Sequence, residues 1–260
     1  MTETLRPLGP NARNRWLASE SAADFTRPER PVRRLEVEGQ PKPFIFDAAR
    51  SALIVVDMQN DFCHPDGWLA GIGVDVAPAR TCIGPLQSLL PAVRAAGLPV
   101  IWVNWGNRPD LANISPALIH VYDGAARGQG LGAPCGPREA PVLEKGSWSA
   151  QVVDELTQAS EDLCVDKHRM SGFWDTPLDA ILRNLRVDTL FFGGVNADQC
   201  VLHTLADANF LGYDTVLVED ATATTSPAFC MEATLYNARQ IFGFTVTTAA
   251  LIPSLSGAPT

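Results

Sequence analysis

SALIVVD, residues 51–57, sets five apolar side chains in a row, three of them β-branched, and ends on a carboxylate. A strand with one wet face alternates apolar and polar residues, whereas an unbroken run belongs to a strand covered on both faces, as inside a parallel sheet. The same kind of run recurs near 99–104, 163–166, 189–193, 215–218 and 243–247. Helix-like stretches lie near 78–96, 149–157, 177–184, 197–211 and 227–240, several opened by Pro or Ser and closed by Gly. This alternation predicts right-handed crossovers and a three-layer α/β/α fold, doubly wound on a mainly parallel six-stranded sheet. Ligands then belong at the carboxyl ends of the strands.

Outward from this core, residues 1–48 mix Arg, Pro, Glu and Ser without a sustained period. They read as an extended N-terminal arm, lying over the body or a neighbouring subunit, with a short helix near 14–25; residues 49–260 read as one domain. The Gly- and Pro-rich segment 106–146 is too long for an ordinary connection and reads as a loop that walls or lids a pocket. No internal repeat is visible.

With 46% hydrophobic residues the chain has material for a large core, yet no apolar run approaches the roughly 18–20 residues of a membrane span. The first residues, MTETLRPLGPNARNRW, lack the apolar stretch of a signal peptide, so a cytoplasmic protein is expected, with no membrane partner. A net charge of -9 argues against nucleic acid, because the summed field repels a polyanion. Residues 1–50 carry nine Lys/Arg against seven Asp/Glu and the remainder 11 against 22, so the arm is mildly basic and the body acidic.

Six cysteines (Cys63, Cys82, Cys135, Cys164, Cys200, Cys230) lack the close spacing of a disulfide framework or of paired zinc clusters, so a working thiol has to be found by its surroundings. Three polar residues stand at expected strand ends: Asp57 after ALIVV, Lys167 after LCVD, and Cys200 after TLFFGG and the turn VNADQ. A thiol nucleophile needs a base for its proton and a cation to hold that base ionised and oriented. Cys200 also falls in the first turn of an expected helix, where free N–H groups and the helix dipole favour a thiolate. Taken singly, the three also read as a cap, a solvated amine and a core cysteine. A redox sensor would use a low-pKa thiol but would need neither Asp57 nor Lys167, and a binding or scaffold protein on this fold would normally have lost one of the three.

ALIVVDMQNDFC (52–63), VDKHRMSGFWDTPLDAILR (165–183) and GGVNADQCVLHTLADANFLGYDTVLVEDATAT (193–224) together resemble the isochorismatase-like cysteine hydrolase superfamily, over roughly residues 51–248. The resemblance implies Asp57, Lys167 and Cys200 as the catalytic triad, the backbone N–H groups of Asn196 and Cys200 as the oxyanion hole, and a cis peptide between Val195 and Asn196. It implies thiolate attack on an amide or ureido carbonyl, release of ammonia or an amine, and hydrolysis of the S-acyl or S-carbamoyl enzyme. It also implies a homo-oligomer, dimer or tetramer. Relatives of the nicotinamidase kind hold a metal with histidines on and after the second strand, but here that region reads IWVNWGNRPD, so no metal and no cofactor are expected.

Within the superfamily the chain is most similar to ureidoacrylate amidohydrolases and to biuret and triuret hydrolases. LEKGSWSAQVVDEL (143–156), SGFWDTPLDAILR (171–183) and VEDAT (218–222) are shared with the first; NRPDLA (107–112) and GLGAPCG (130–136) with the biuret enzymes. Asn104, Trp105, Asn107 and Arg108 stand where ureidoacrylate enzymes carry a pattern near QNGWD, and Met170 replaces a tyrosine, which moves the expected substrate towards biuret- or triuret-like compounds. A flat ureido chain needs in-plane donors and acceptors and an apolar face, which Asn104, Asn107, Arg108 and Trp105 can offer. Trp105 as core packing and Arg108 as a surface ion pair remain the alternatives. Ureidoacrylate and N-carbamoylsarcosine- or nicotinamide-type amides are the other substrate classes.

Overall fold

The computed structural model describes residues 4–27 and 30–256. Six parallel strands form the central sheet: β1 (Ser51–Val56), β2 (Val100–Trp105), β3 (Leu163–Lys167), β4 (Thr189–Gly194), β5 (Asp214–Thr222) and β6 (Gly243–Val246). Their spatial order is β3-β2-β1-β4-β5-β6. The order reverses between β1 and β4, and in such sheets the crevice above that switch point takes the ligand.

β1 and β4 are buried along their whole length, as two-faced burial of SALIVV and TLFFGG requires. One face packs Leu53, Val55, Phe191, Val216 and Val218 against α1 (Ile83–Ala95) and a C-terminal helix, Thr248–Ser256. The other packs Ile54, Val56, Leu190 and Leu217 against α2 (Leu178–Leu185) and α3 (Leu202–Phe210). A further helix, α4 (Ala228–Asn237), follows β5. No helix among the described residues is long and apolar enough to cross a membrane.

Two expected helices are not helices. Near 14–25 the chain forms strands: Asn14–Ala18 pairs antiparallel with Arg6–Asn11 and with Ala23–Asp24. The Asn11 side chain accepts from the N–H of Arg13 and Asn14 and turns the chain back, and Trp16 packs on Phe25 at 4.2 Å. Near 149–157 there are turns, because backbone groups that a helix would pair internally are taken from elsewhere. Asn60 N–H donates to Gln151 O, Asp61 N–H to Ser149 O, and Val153 N–H to Met58 O. The 106–146 segment contains a short helix, Pro116–Tyr122, and a two-residue strand pair, Pro134–Cys135 with Ala140–Pro141.

Gly194 closes β4 with φ +110°, directly against β1. A Cβ there would lie 2.0 Å from Val56 O, a backbone atom that cannot yield without moving the strand bearing Asp57. Gly194→Ala is therefore expected to lose on the order of 3 kcal/mol or more in urea unfolding, from strain plus overpacking. A loss below about 1 kcal/mol would contradict this role for the β1–β4 junction.

Candidate active site

Asp57 leaves β1 in the left-handed region (φ +49°), with its N–H donating to Val103 O at 3.1 Å. Asp is among the few non-glycine residues that visit this region, and such backbone collects at functional sites. Lys167 ends β3. Cys200 lies in a wide turn, Ala197–Val201, that follows β4 and runs into α3. The turn is anchored at several points: Val195 N–H donates to Val56 O, Ala197 N–H to Ala223 O, and Thr204 Oγ1 to Cys200 O. Asn196 Oδ1 accepts from Thr225 N–H, which ties the turn to the end of β5. The Val195–Asn196 peptide is cis, as the resemblance implies.

The three side chains meet. Lys167 Nζ lies 2.8 Å from Asp57 Oδ2 and 3.3 Å from Cys200 Sγ, and it donates to Arg169 O at 3.1 Å. Asp57 and Lys167 are essentially inaccessible and Cys200 is buried. Trp105, last residue of β2, lies beneath the ammonium, with its ring centroid 4.4 Å from Nζ. The charge of the Asp57 carboxylate is answered chiefly by its ion pair with Lys167.

These surroundings correct the expectation of a ready thiolate. Burial, and then the negative charge of Asp57, push the Cys200 thiol far above its usual range, and Lys167 offsets only part of this. Burial likewise raises Asp57 above an ordinary carboxylate despite the pull of Lys167. For Lys167, burial acts downward, but Asp57 and Cys200 outweigh it and keep the amine charged. The resting site is thus a neutral thiol beside a carboxylate more basic than usual. That pairing suits proton transfer during attack rather than before it.

Of the other expected site residues, Met170 comes closest, with Sδ 3.8 Å from Cys200 Sγ. Trp105 is fully buried, so the packing alternative holds, yet its Nε1 has no partner. Asn107 is also fully buried; its backbone pairs with Leu143 and Lys145, while both polar atoms of its side chain lack partners. Asn104 Oδ1 is buried and unpartnered too. Arg108 is 60% exposed and forks onto Asp110 at 2.8 and 2.6 Å, so the surface ion pair is what the structure contains. It does not join the buried cluster.

Sequence reasoning missed two contributors. Gln59 clamps the end of β2: its Oε1 accepts from Trp105 N–H, and its Nε2 donates to Trp105 O and Ala150 O. A run of three polar residues, Gln59–Asp61, directly after a buried strand was the available signal. Tyr122, from the long connection, packs on Trp105 at 5.1 Å, and nothing local in the sequence marks it. Among the described residues no three His, Cys, Asp or Glu side chains group in a way that could hold a metal ion.

Comparison with known proteins follows the same outline. Residues 51–250 match the sequence model of the Isochorismatase domain. A cysteine hydrolase from Pseudomonas syringae pv. phaseolicola is similar at 27% identity, over 88% of this chain and 99% of that one, with a TM-score of 0.70. N-carbamoylsarcosine amidase from Thermoplasma acidophilum is 31% identical over 76% of this chain and 96% of its own, with a TM-score of 0.57. A pyrazinamidase/nicotinamidase from Streptococcus mutans is 26% identical over 75% and 99%, with a TM-score of 0.60.

The electrostatics set a pH dependence. If Asp57 accepts the thiol proton it must be ionised, so kcat/KM is expected to fall on the acid side, with an apparent pKa above the ordinary carboxylate value near 3.9. Because the charge of Lys167 pulls Asp57 down, Lys167→Gln should move that limb to higher pH in whatever activity remains. An unmoved acid limb would mean that Asp57 is not the titrating group.

Proposed function

The chain belongs to the isochorismatase family of hydrolases, and from that premise we propose that it is a cysteine-dependent amidohydrolase cleaving a C–N bond in a small, neutral ureido or carbamoyl amide of the biuret or triuret kind. The observation that carries the chemistry is the buried contact of Lys167 Nζ with both Asp57 and Cys200. As Cys200 Sγ attacks the carbonyl carbon, its proton passes to Asp57 and the C=O electrons move onto oxygen. The N–H groups of Asn196 and Cys200 receive that oxyanion, a contribution worth roughly 2.7–4 kcal/mol per donor where it has been measured in other enzymes. Asp57 then protonates the leaving nitrogen as the C–N bond breaks, releasing ammonia or an amine. Water, giving a proton to Asp57, next attacks the S-acyl or S-carbamoyl carbon, and the proton returns to sulfur as the thiol leaves. Throughout, Lys167 keeps Asp57 in place and its ammonium beside the sulfur.

Support for a neutral substrate comes from the cations around the site. Arg108 is paired with Asp110, Arg169 with Asp175 and Lys145 with Asp166. Lys167 is the one cation acting on the Asp57–Cys200 pair among the described residues, and it is fully engaged. A substrate carboxylate would find no unpaired partner among these groups, whereas the unpartnered Asn107 amide offers both a donor and an acceptor. A second reading, an N-carbamoylsarcosine- or nicotinamide-type amidase, takes its support from the two similar proteins that carry those names. A panel measuring ammonia release from biuret, triuret, ureidoacrylate, N-carbamoylsarcosine and nicotinamide separates these readings, with biuret or triuret expected to give the highest kcat/KM.

Cys200→Ser is expected to abolish turnover while leaving the fold and substrate binding intact; more than a few per cent of wild-type kcat would remove Cys200 from the mechanism. Asp57→Asn should be nearly as inactive, because an amide cannot accept the proton. Asn107→Ala is expected to lower kcat/KM on the best ureido amide at least about tenfold, the consequence of losing one buried hydrogen-bonded contact. The same variant should spare a small activated ester, and Arg108→Ala should have little effect on a neutral substrate. Equal, near-wild-type activity of Asn107→Ala on every ureido compound would mean that this residue does not read the substrate.

A further inference from the structure

Tyr122 is the last residue of the helix Pro116–Tyr122, inside the long connection between β2 and β3. Its ring stacks on Trp68 with centroids 5.1 Å apart and planes at 27°, and tilts against Trp105 at 5.1 Å. The other face of this chain of contacts is the reactive cluster, since Trp105 lies 4.4 Å from Lys167 Nζ and Lys167 lies 3.3 Å from Cys200 Sγ. Tyr122 is therefore one ring removed from the ammonium that holds the triad. Trp68 Nε1 is already bonded to Gln129 O, which fixes the outer side of the stack.

The polar atoms along this wall are unusual for a core. Trp105 Nε1 and both side-chain polar atoms of Asn107 are buried without partners. The Tyr122 hydroxyl forms no hydrogen bond among the described residues, which distinguishes it from Tyr213, whose hydroxyl donates to Asp179. Burial, and after it the charges of Cys200 and Asp57, keep the Tyr122 phenol protonated. Aromatic packing explains the rings but not the buried polar atoms of Trp105 and Asn107, because buried donors and acceptors are nearly always satisfied. A planar ligand at the Nε1 edge of the indole would satisfy them. The hydroxyl presents a donor, the indole another donor, and the Asn107 carboxamide one of each kind.

We propose that Tyr122 is a specificity-determining residue, whose hydroxyl donates a hydrogen bond to the non-scissile carbonyl of a neutral, planar acylurea-type substrate bound beside the edge of Trp105. This rests on the amidase reading and narrows it: the substrate carries a second carbonyl beyond the one attacked. The residue positions the substrate and takes no part in proton transfer.

The test uses Tyr122→Phe, which keeps the ring and its stacking and removes only the oxygen. With biuret as substrate, KM is expected to rise at least about tenfold with kcat within about threefold, while turnover of p-nitrophenyl acetate, which has no second carbonyl, stays within about twofold. Tyr236→Phe, on the exposed surface of α4, is the control and should change neither. A merely structural role would lower the melting temperature and reduce both activities together, and that result would overturn the proposal, as would an unchanged KM for biuret. Binding is read independently of turnover by calorimetric titration of Cys200→Ser with biuret, with and without Tyr122→Phe, and at least about tenfold weaker binding is expected in the double variant. Biuret binding that depends on Tyr122 in a protein that hydrolyses no ureido amide would sink the amidase reading and leave Tyr122 standing. Biuret turnover indifferent to Tyr122 would do the reverse, and no biuret binding at all to Cys200→Ser would overturn the Tyr122 assignment.

Discussion

The Asp57–Lys167 ion pair is the constraint around which the site is built. Taking two charges out of water costs several kcal/mol for each, and mutual attraction recovers this only when the geometry is close and the remaining donors are satisfied. Here the separation is 2.8 Å, and Lys167 uses its other donors on Cys200 Sγ and Arg169 O. The two residues belong to strands that are not neighbours, since β2 runs between β1 and β3. Adjacent strands stand about 4.8 Å apart, so the side chains have to lean together over the end of β2. What they lean over is the Trp105 ring, an apolar surface that also attracts an ammonium on its face. Breaking either partner would leave a buried charge alone, which is why the pair ties the strand order, the aromatic floor and the chemistry to one another.

That dependence extends to the walls. Gln59, Asn60 and Asp61 follow Asp57 almost immediately and are buried, yet each is satisfied by backbone from segments distant in sequence. Gln59 holds both backbone polar groups of Trp105 and the carbonyl of Ala150; Asn60 Nδ2 holds Trp148 O; and Asp61 accepts from Leu143 N–H and Trp68 N–H. Burial raises the Asp61 carboxyl, and those N–H groups oppose the rise. The segment that follows Asp57 thus also fixes the Trp105 floor and the 140s wall. Loops that line a site are often its least ordered parts, but here buried side-chain hydrogen bonds from β1 onward hold them.

How far this was legible in the sequence follows from the range of the forces involved. The central strands β1 and β4, and with them the carboxyl edge where Asp57, Lys167 and Cys200 converge, were readable because two-faced burial writes itself as unbroken runs such as ALIVV and TLFFGG, whereas the edge strands β3 and β6 are less buried and were read from short apolar stretches. The helix expected at 149–157 was not, since its backbone partners are Met58, Asn60 and Asp61, some ninety residues away, and no local pattern records them. The strands at 14–24 hid for a related reason: a side-chain turn at Asn11 and one aromatic contact outweighed weak local propensity. A thiolate at Cys200 was inferred from its place near a helix start, but burial beside a carboxylate dominates over a partial dipole charge. Tyr122 left no trace because it reaches the site from a connection whose path only the tertiary structure defines.

The same balance of charge bears on what the site admits. Asp57 and Lys167 cancel, the resting thiol is neutral, and the flanking Arg108, Lys145 and Arg169 are each held by an acid. Locally, then, the site has little net field, while the body around it is acidic and the whole chain carries -9. An anion approaching such a body is repelled at long range, with the effect screened beyond about 8–10 Å at physiological salt, and at short range it meets these three cations already paired. A neutral molecule meets neither penalty and gains from buried donors and acceptors that otherwise go unmet at Trp105 and Asn107. On the proposed reading, charge therefore acts against acids at both distances, and shape and hydrogen bonding along the aromatic wall are left to distinguish one neutral amide from another.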